Sequence, residues 1–197
     1  MRGGCYDLAM LEHDNIIYLV VHCSATPDHE PATVRDIHAM HQGFGWHGVG
    51  YHRVICRDGQ VQAGRPDCWV GAHVYGYNDV SLGVCLIGCN SFTAAQFGSL
   101  ATVLKQWQAE YPNAIICGHR DFAYTEKTCP NFDVVSWCLD QGIDPGATRP
   151  SMHEALTIAR QHPTTLAVAG DGGGNCNRAG QTAAGEGGAT QSPRRQS

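Results

Sequence analysis

The sequence predicts an α/β fold, a central β-sheet flanked by helices, from three observations. Apolar runs of strand length occupy residues 16–21, 81–88 and 114–117. The stretches 33–45 and 93–111 between them carry apolar residues at helical spacing. Asp58-Gly59 lies between two short strand-like runs, 51–56 and 60–63, which is a strong local signal for a hairpin. With 197 residues and 43% hydrophobic content, the chain is long enough for one domain with a real core and something left over.

The first strand, Ile16-Ile17-Tyr18-Leu19-Val20-Val21, ends at His22. After a turn at Ala25-Thr26-Pro27-Asp28, Thr33 is placed to cap a helix with Val34, Ile37 and His41 on one face, ending near Gly43 or Gly45. The glycine-bounded loop 46–50 leads into the hairpin, and residues 71–78, with His73, Tyr75 and Tyr77 among glycines, form a loop suited to ligand contact or to covering the core. Residues 81–88 are nearly all apolar, as a strand buried on both faces and central to the sheet requires.

Thr93 and Gln96 form a capping box and Phe92 and Phe97 a hydrophobic staple at the start of the clearest helix. Its stripe of Phe97, Leu100, Leu104 and Trp107 faces the core, and it stops at Tyr111-Pro112. The strand 114–117 then delivers Gly118-His119 to the sheet's edge, as the first strand delivers His22. A last amphipathic helix is expected to begin at Pro130-Asn131-Phe132-Asp133, with Cys129 just before its positive N-terminus.

Composition excludes several classes. A formal charge of −5 and a pI near 6.1 leave no basic footprint for nucleic acid. No apolar run approaches the length of a membrane span, and Glu12, His13, Asp14 and Asn15 interrupt any signal-peptide core, so synthesis into the cytoplasm is expected. Most of the ten cysteines are accordingly expected to be reduced. Cys85 and Cys89 form a CxxxC without a second pair at finger spacing, which disfavours a structural zinc there.

The chemistry concentrates in Cys117-Gly118-His119-Arg120-Asp121 and Lys127-Thr128-Cys129-Pro130. Histidine and cysteine are ligand types that suit zinc, and His22 is the natural third ligand because it ends a buried strand. Spacing alone leaves open that His22 and His119 are ordinary partly buried histidines and Cys129 an ordinary core thiol.

Together with Val21-His22-Cys23-Ser24-Ala25-Thr26, Gly50-Tyr51-His52, Gly71-Ala72-His73, Gly76-Tyr77-Asn78 and Ser81-Leu82-Gly83-Val84, these motifs resemble the zinc-dependent N-acetylmuramoyl-L-alanine amidases, short bacteriophage endolysins above all. The peptidoglycan recognition proteins of animals share the domain. The resemblance implies one α/β domain over residues 14–141 with a central mixed sheet flanked by helices. It implies Zn(2+) on His22, His119 and Cys129, with Tyr51 and Lys127 catalytic and His73 and Asn78 lining the substrate groove. Zinc in an open three-ligand site lowers the pKa of water to about 7. His52 and Arg120 are expected to be structural, the latter supporting the loop that holds His119.

The implied substrate is bacterial peptidoglycan, reached from the host cytoplasm on release, and the protein is expected to act as a monomer. Two alternatives stand beside this reading: a non-catalytic peptidoglycan-binding module of the same fold, and an amidase that also inhibits a phage RNA polymerase. Cys129 favours the enzyme over the module, and the catalytic motifs carry no information on a polymerase. Outside the resemblance lie a lead-in, 1–13, an extension, 142–169, with room for one helix over 152–161, and a tail, 170–197, expected to be disordered.

Overall fold

The computed structural model describes residues 9–123 and 125–146. The expected helix over 152–161 and the tail from Gly170 lie outside the described residues.

Five strands form one mixed sheet in the order β3-β2-β4-β1-β5: β1 (Tyr18–Cys23), β2 (Arg53–Ile55), β3 (Val61–Ala63), β4 (Ser81–Leu86) and β5 (Ile115–Gly118). β1 runs parallel to both β4 and β5, β2 runs parallel to β4, and only the β2–β3 hairpin is antiparallel. β4 is the central strand and is buried throughout, as is β1. Among the described residues three α-helices accompany the sheet: α1 (Val34–Gly43), α2 (Ala94–Glu110) and α3 (Val134–Asp140).

The period-two alternation of the strands divides the core in two. One face carries Leu19, Val21, Leu82, Val84, Leu86 and Ile116, packed against Leu100, Leu104 and Trp107 of α2 and Val134 and Cys138 of α3. On the opposite face Val54 and Cys85 pack with Ile37 of α1 and with Tyr51, while Tyr18, Val20 and Cys117 pack with Val74 and Val80. His22 falls on this second face, between the two clusters.

The caps behave as local chemistry requires. Thr93 Oγ1 accepts from the Gln96 N–H at 3.0 Å while Gln96 Oε1 accepts from the Thr93 N–H at 3.1 Å, and Phe92 meets Phe97 edge to face. Asp36 closes the start of α1 by accepting from the Thr33 N–H and hydroxyl.

The packed body extends beyond 14–141 at both ends. Leu11 is buried and its N–H donates to the Cys68 carbonyl, while Ile143 is buried and the Pro145 carbonyl accepts from Ile116. The last helix differs from expectation. Residues 129–132 form turns and a bend, with Asn131 at φ 68°, and α3 starts after Asp133, whose side chain accepts from the Ser136 N–H.

Candidate metal centre

Parallel pairing of β1 with β5 builds the first half of the site. Val21 stands opposite Gly118, so His22, still within β1, and His119, just past the end of β5, lie at the same level, with ring centroids 4.8 Å apart. His119 opens a short 3-10 helical turn, His119–Asp121, which is held by Asp121 accepting from the Gly118 N–H at 2.9 Å.

The loop after this turn brings in the third group. The Arg120 N–H donates to the Cys129 carbonyl at 2.8 Å, so the segments carrying His119 and Cys129 are tied backbone to backbone. The Cys129 sulfur lies 3.9 Å from His22 Nδ1 and accepts from the Cys23 N–H at 3.0 Å. α3 itself begins at Val134, with Asp133 as its cap, so Cys129 stands four residues ahead of the cap rather than just before the helix.

His22, His119 and Cys129 are all buried and offer ligand atoms within 4.8 Å of one another. Zinc–nitrogen and zinc–sulfur bonds of roughly 2.0 and 2.3 Å put tetrahedral ligand atoms on the order of 3.5 Å apart, so slight closure suffices. The set contains no carboxylate, and thiolate with neutral imidazole is a donor set matched to zinc rather than to magnesium or calcium. His22 is held in the neutral form that ligates metal: burial first, then the neighbouring His119, His73, His52 and His41, push its pKa well below the usual histidine range.

Tyr51 is buried beside this centre, its ring centroid 5.1 Å from that of His22. Burial, reinforced by Cys85, Cys129 and Cys23, raises its pKa well above the ordinary phenol, so it is a proton-bearing donor at neutral pH. Behind it stands His41, fully buried, with Nδ1 accepting from the Gly50 N–H at 3.1 Å and its ring 5.4 Å from that of Tyr51. Lys127 is partly buried on the loop two residues ahead of Cys129, where its N–H donates to Thr125 Oγ1.

His73 is buried within the site, while Asn78 is partly exposed and bonded to the loop that carries His73. His73 has 0% exposure, and its Nδ1 lies 3.0 Å from Nε2 of His22. The Asn78 Oδ1 is taken by the backbone N–H groups of His73 and Val74, at 2.7 and 2.9 Å. His52, also fully buried, accepts from the Gly83 N–H through Nδ1 at 2.9 Å, and its Nε2 meets the Trp69 carbonyl at 2.9 Å. The signal for these roles was present in the alternation along β4, which puts Gly83 on the same face as His22.

A mixed α/β sheet that brings two histidines and a thiol to one buried point has the layout of a single-metal hydrolase. The sequence profile described as N-acetylmuramoyl-L-alanine amidase matches residues 12–132, and the chain belongs to that family. It is an N-acetylmuramoyl-L-alanine amidase, an enzyme. The endolysin of Enterobacteria phage K11 is 45% identical over 125 residues, 59% of this chain and 82% of its own length. The endolysin of Escherichia phage T7 is 42% identical over 127 residues, 60% of this chain and 83% of its own. The solved amidase LysC of Clostridium intestinale superposes with a TM-score of 0.59 at 26% identity, covering 72% of this chain and 96% of that one. Bumblebee peptidoglycan recognition protein SA, at 20% identity, shares the fold, with a TM-score of 0.62 over 76% of this chain and 94% of its own. Among the described residues no helix is long and apolar enough to cross a membrane.

Proposed function

We propose that the chain is a zinc-dependent endolysin that cuts the amide between the muramic acid lactyl group and L-alanine in bacterial peptidoglycan, with His22, His119 and Cys129 as the zinc ligands. The observation that carries this reading is the convergence of those three buried ligand atoms within 4.8 Å. Zinc held there supplies Lewis acidity, polarising the scissile carbonyl and making water a competent nucleophile at neutral pH.

The chain's own groups do the rest. The Tyr51 hydroxyl, kept protonated by burial, orients the attacking water. Lys127 places an ammonium where negative charge develops on the carbonyl oxygen, the position at which a cation is worth most. The water's hydroxyl adds to the carbonyl carbon, the carbon–nitrogen bond breaks, and the proton that the water gives up is the one the alanine amine gains as it leaves.

Digestion of purified walls tests this directly. A glycosidase works with two carboxylic acids and releases reducing sugar ends. Here the expected products are peptides with new L-alanine amino termini on uncut glycan, formed by protein carrying one zinc per chain and lost on chelation. Reducing ends without alanine termini, or full turnover after complete removal of metal, would overturn the proposal.

A further inference from the structure

The placement of His73 carries a second conclusion, which rests on the zinc reading above. We infer that His73 is a positioning residue for the metal ligand His22: its Nδ1 accepts the Nε2–H of His22 and so fixes which nitrogen of His22 faces the ion.

The geometry leads there in three steps. Of the two His22 nitrogens, Nδ1 is turned toward the Cys129 sulfur at 3.9 Å, and Nε2 points away from it, to His73 Nδ1 at 3.0 Å. A neutral imidazole that ligates through Nδ1 carries its proton on Nε2, so that proton requires a buried acceptor. His73 Nδ1 is the acceptor provided. Ligating histidines generally hand their second N–H to such a partner, which sets tautomer and ring orientation.

The surroundings of His73 are built to hold that ring in place. A Cβ at Gly71 would lie 2.4 Å from the His73 ring, and one at Gly83 would lie 2.8 Å from it. Gly83 stands opposite Val20 in the register, on the His22 face of the sheet, so the missing side chain leaves the gap that the ring fills. His52 binds both backbone groups of Gly83, accepting from its N–H at 2.9 Å and donating its own N–H to its carbonyl at 2.8 Å, and its ring stands edge to face with that of His73 at 5.6 Å. Asn78 takes the backbone N–H groups of His73 and Val74 and ties the loop to the short 3-10 turn, Asn78–Val80, that leads into β4. With a slot, a wall and a hook, the acceptor is rigid.

The test compares two nearly isosteric variants. His73→Asn keeps an oxygen close to where Nδ1 stands, whereas His73→Leu removes the acceptor at similar volume. Zinc dissociation constants are measured by competition with a chromophoric chelator, and thermal unfolding is followed in excess chelator so that folding is scored apart from metal. The expected result is a loss of about 10–100-fold in zinc affinity for His73→Leu, the range typical of losing such a partner, with His73→Asn restoring most of it. Equal affinities in the two variants, whether both tight or both weak, would overturn the role. Should His73→Leu not fold, nitrogen-15 NMR of the zinc-loaded wild type decides: His22 protonated at Nε2 supports the inference, and His22 ligated through Nε2 sinks it. Wild type that binds no zinc removes the metal proposal and this one together, whereas tight binding in wild type and His73→Leu alike removes this one alone.

Discussion

Cys129 and Cys85 are both buried thiols, and only their surroundings tell them apart. Cys129 faces His22 Nδ1 and receives the Cys23 N–H, while Cys85 sits in β4 against Tyr51, Val54 and Ile37. Cys129→Ser is therefore expected to lose zinc almost entirely, because a hydroxyl is a poor replacement for thiolate. Cys85→Ser should keep full zinc content and lose only stability, by about 1–3 kcal/mol for a buried hydroxyl. Zinc analysis of the two purified proteins checks this, and equal metal loss would mean that the ligand thiol is misassigned. Lys127→Ala should cut turnover roughly 100-fold or more, the usual cost of losing one oxyanion donor, with zinc content unchanged. Turnover within a few-fold of wild type would remove Lys127 from the chemistry. At this scale the sequence was legible for residue types and less so for roles. His73 looked like a loop residue open to ligand, because its burial depends on Gly71 and on Gly83 in a different segment.

Elements defined by local chemistry were legible nearly to the residue. Thr93 and Gln96 start α2 through bonds three residues apart, and the Asp58-Gly59 turn needs only Gly59 at φ 89°. Thr93→Ala removes both the cap to Gln96 and a hydroxyl bond to the Arg57 carbonyl at 2.8 Å. It should cost about 1–2 kcal/mol, seen as a fall of about 2–4 °C or more in Tm, without changing zinc binding. An unchanged Tm would show that the box is ornamental. The start of α3 was misplaced because its cap is Asp133, and the turns before it are held by distant partners: Asn131 Nδ2 donates to the carbonyl of Cys89 at 2.9 Å. The packing of Leu11 and Ile143 was missed for a similar reason. Neither belongs to a periodic run: the Leu11 N–H donates to the distant Cys68 carbonyl and the Ile143 N–H to that of Cys138, and the segment after Ile143 is tied to β5 by the Ile116 N–H donating to the Pro145 carbonyl. Strand order is likewise a property of long-range pairing, which local patterns do not encode.

Over the whole molecule the two faces of the sheet do different work. One is an apolar core beneath α2 and α3, and the other stacks His22, His52 and His73, with His41 beside Tyr51. This makes stability depend on pH in a defined window. Burial lowers the pKa of His41 and of His52 from 6.5 to about 4 each. Between those values the unfolded chain binds protons that the folded one refuses, so stability rises with pH there. Their contribution is complete above about pH 6.5 and is lost as pH falls toward 4, with a slope of up to about 1.4 kcal/mol per pH unit for each histidine. The buttressed carboxylates act elsewhere: Asp28 accepts from the N–H groups of Cys89, Asn90 and Ser91, its pKa is lowered from 3.8, and its contribution fades only below that value. Urea unfolding of the metal-free protein from pH 8 to pH 4 should therefore give a plateau, then a decline beginning near pH 6.5. His41→Gln should make that decline shallower, because one fewer buried imidazole is forced to charge. A flat profile from pH 7 to pH 4.5, or a decline that begins only below pH 4, would show that these histidines do not have to give up their neutral form when the chain folds.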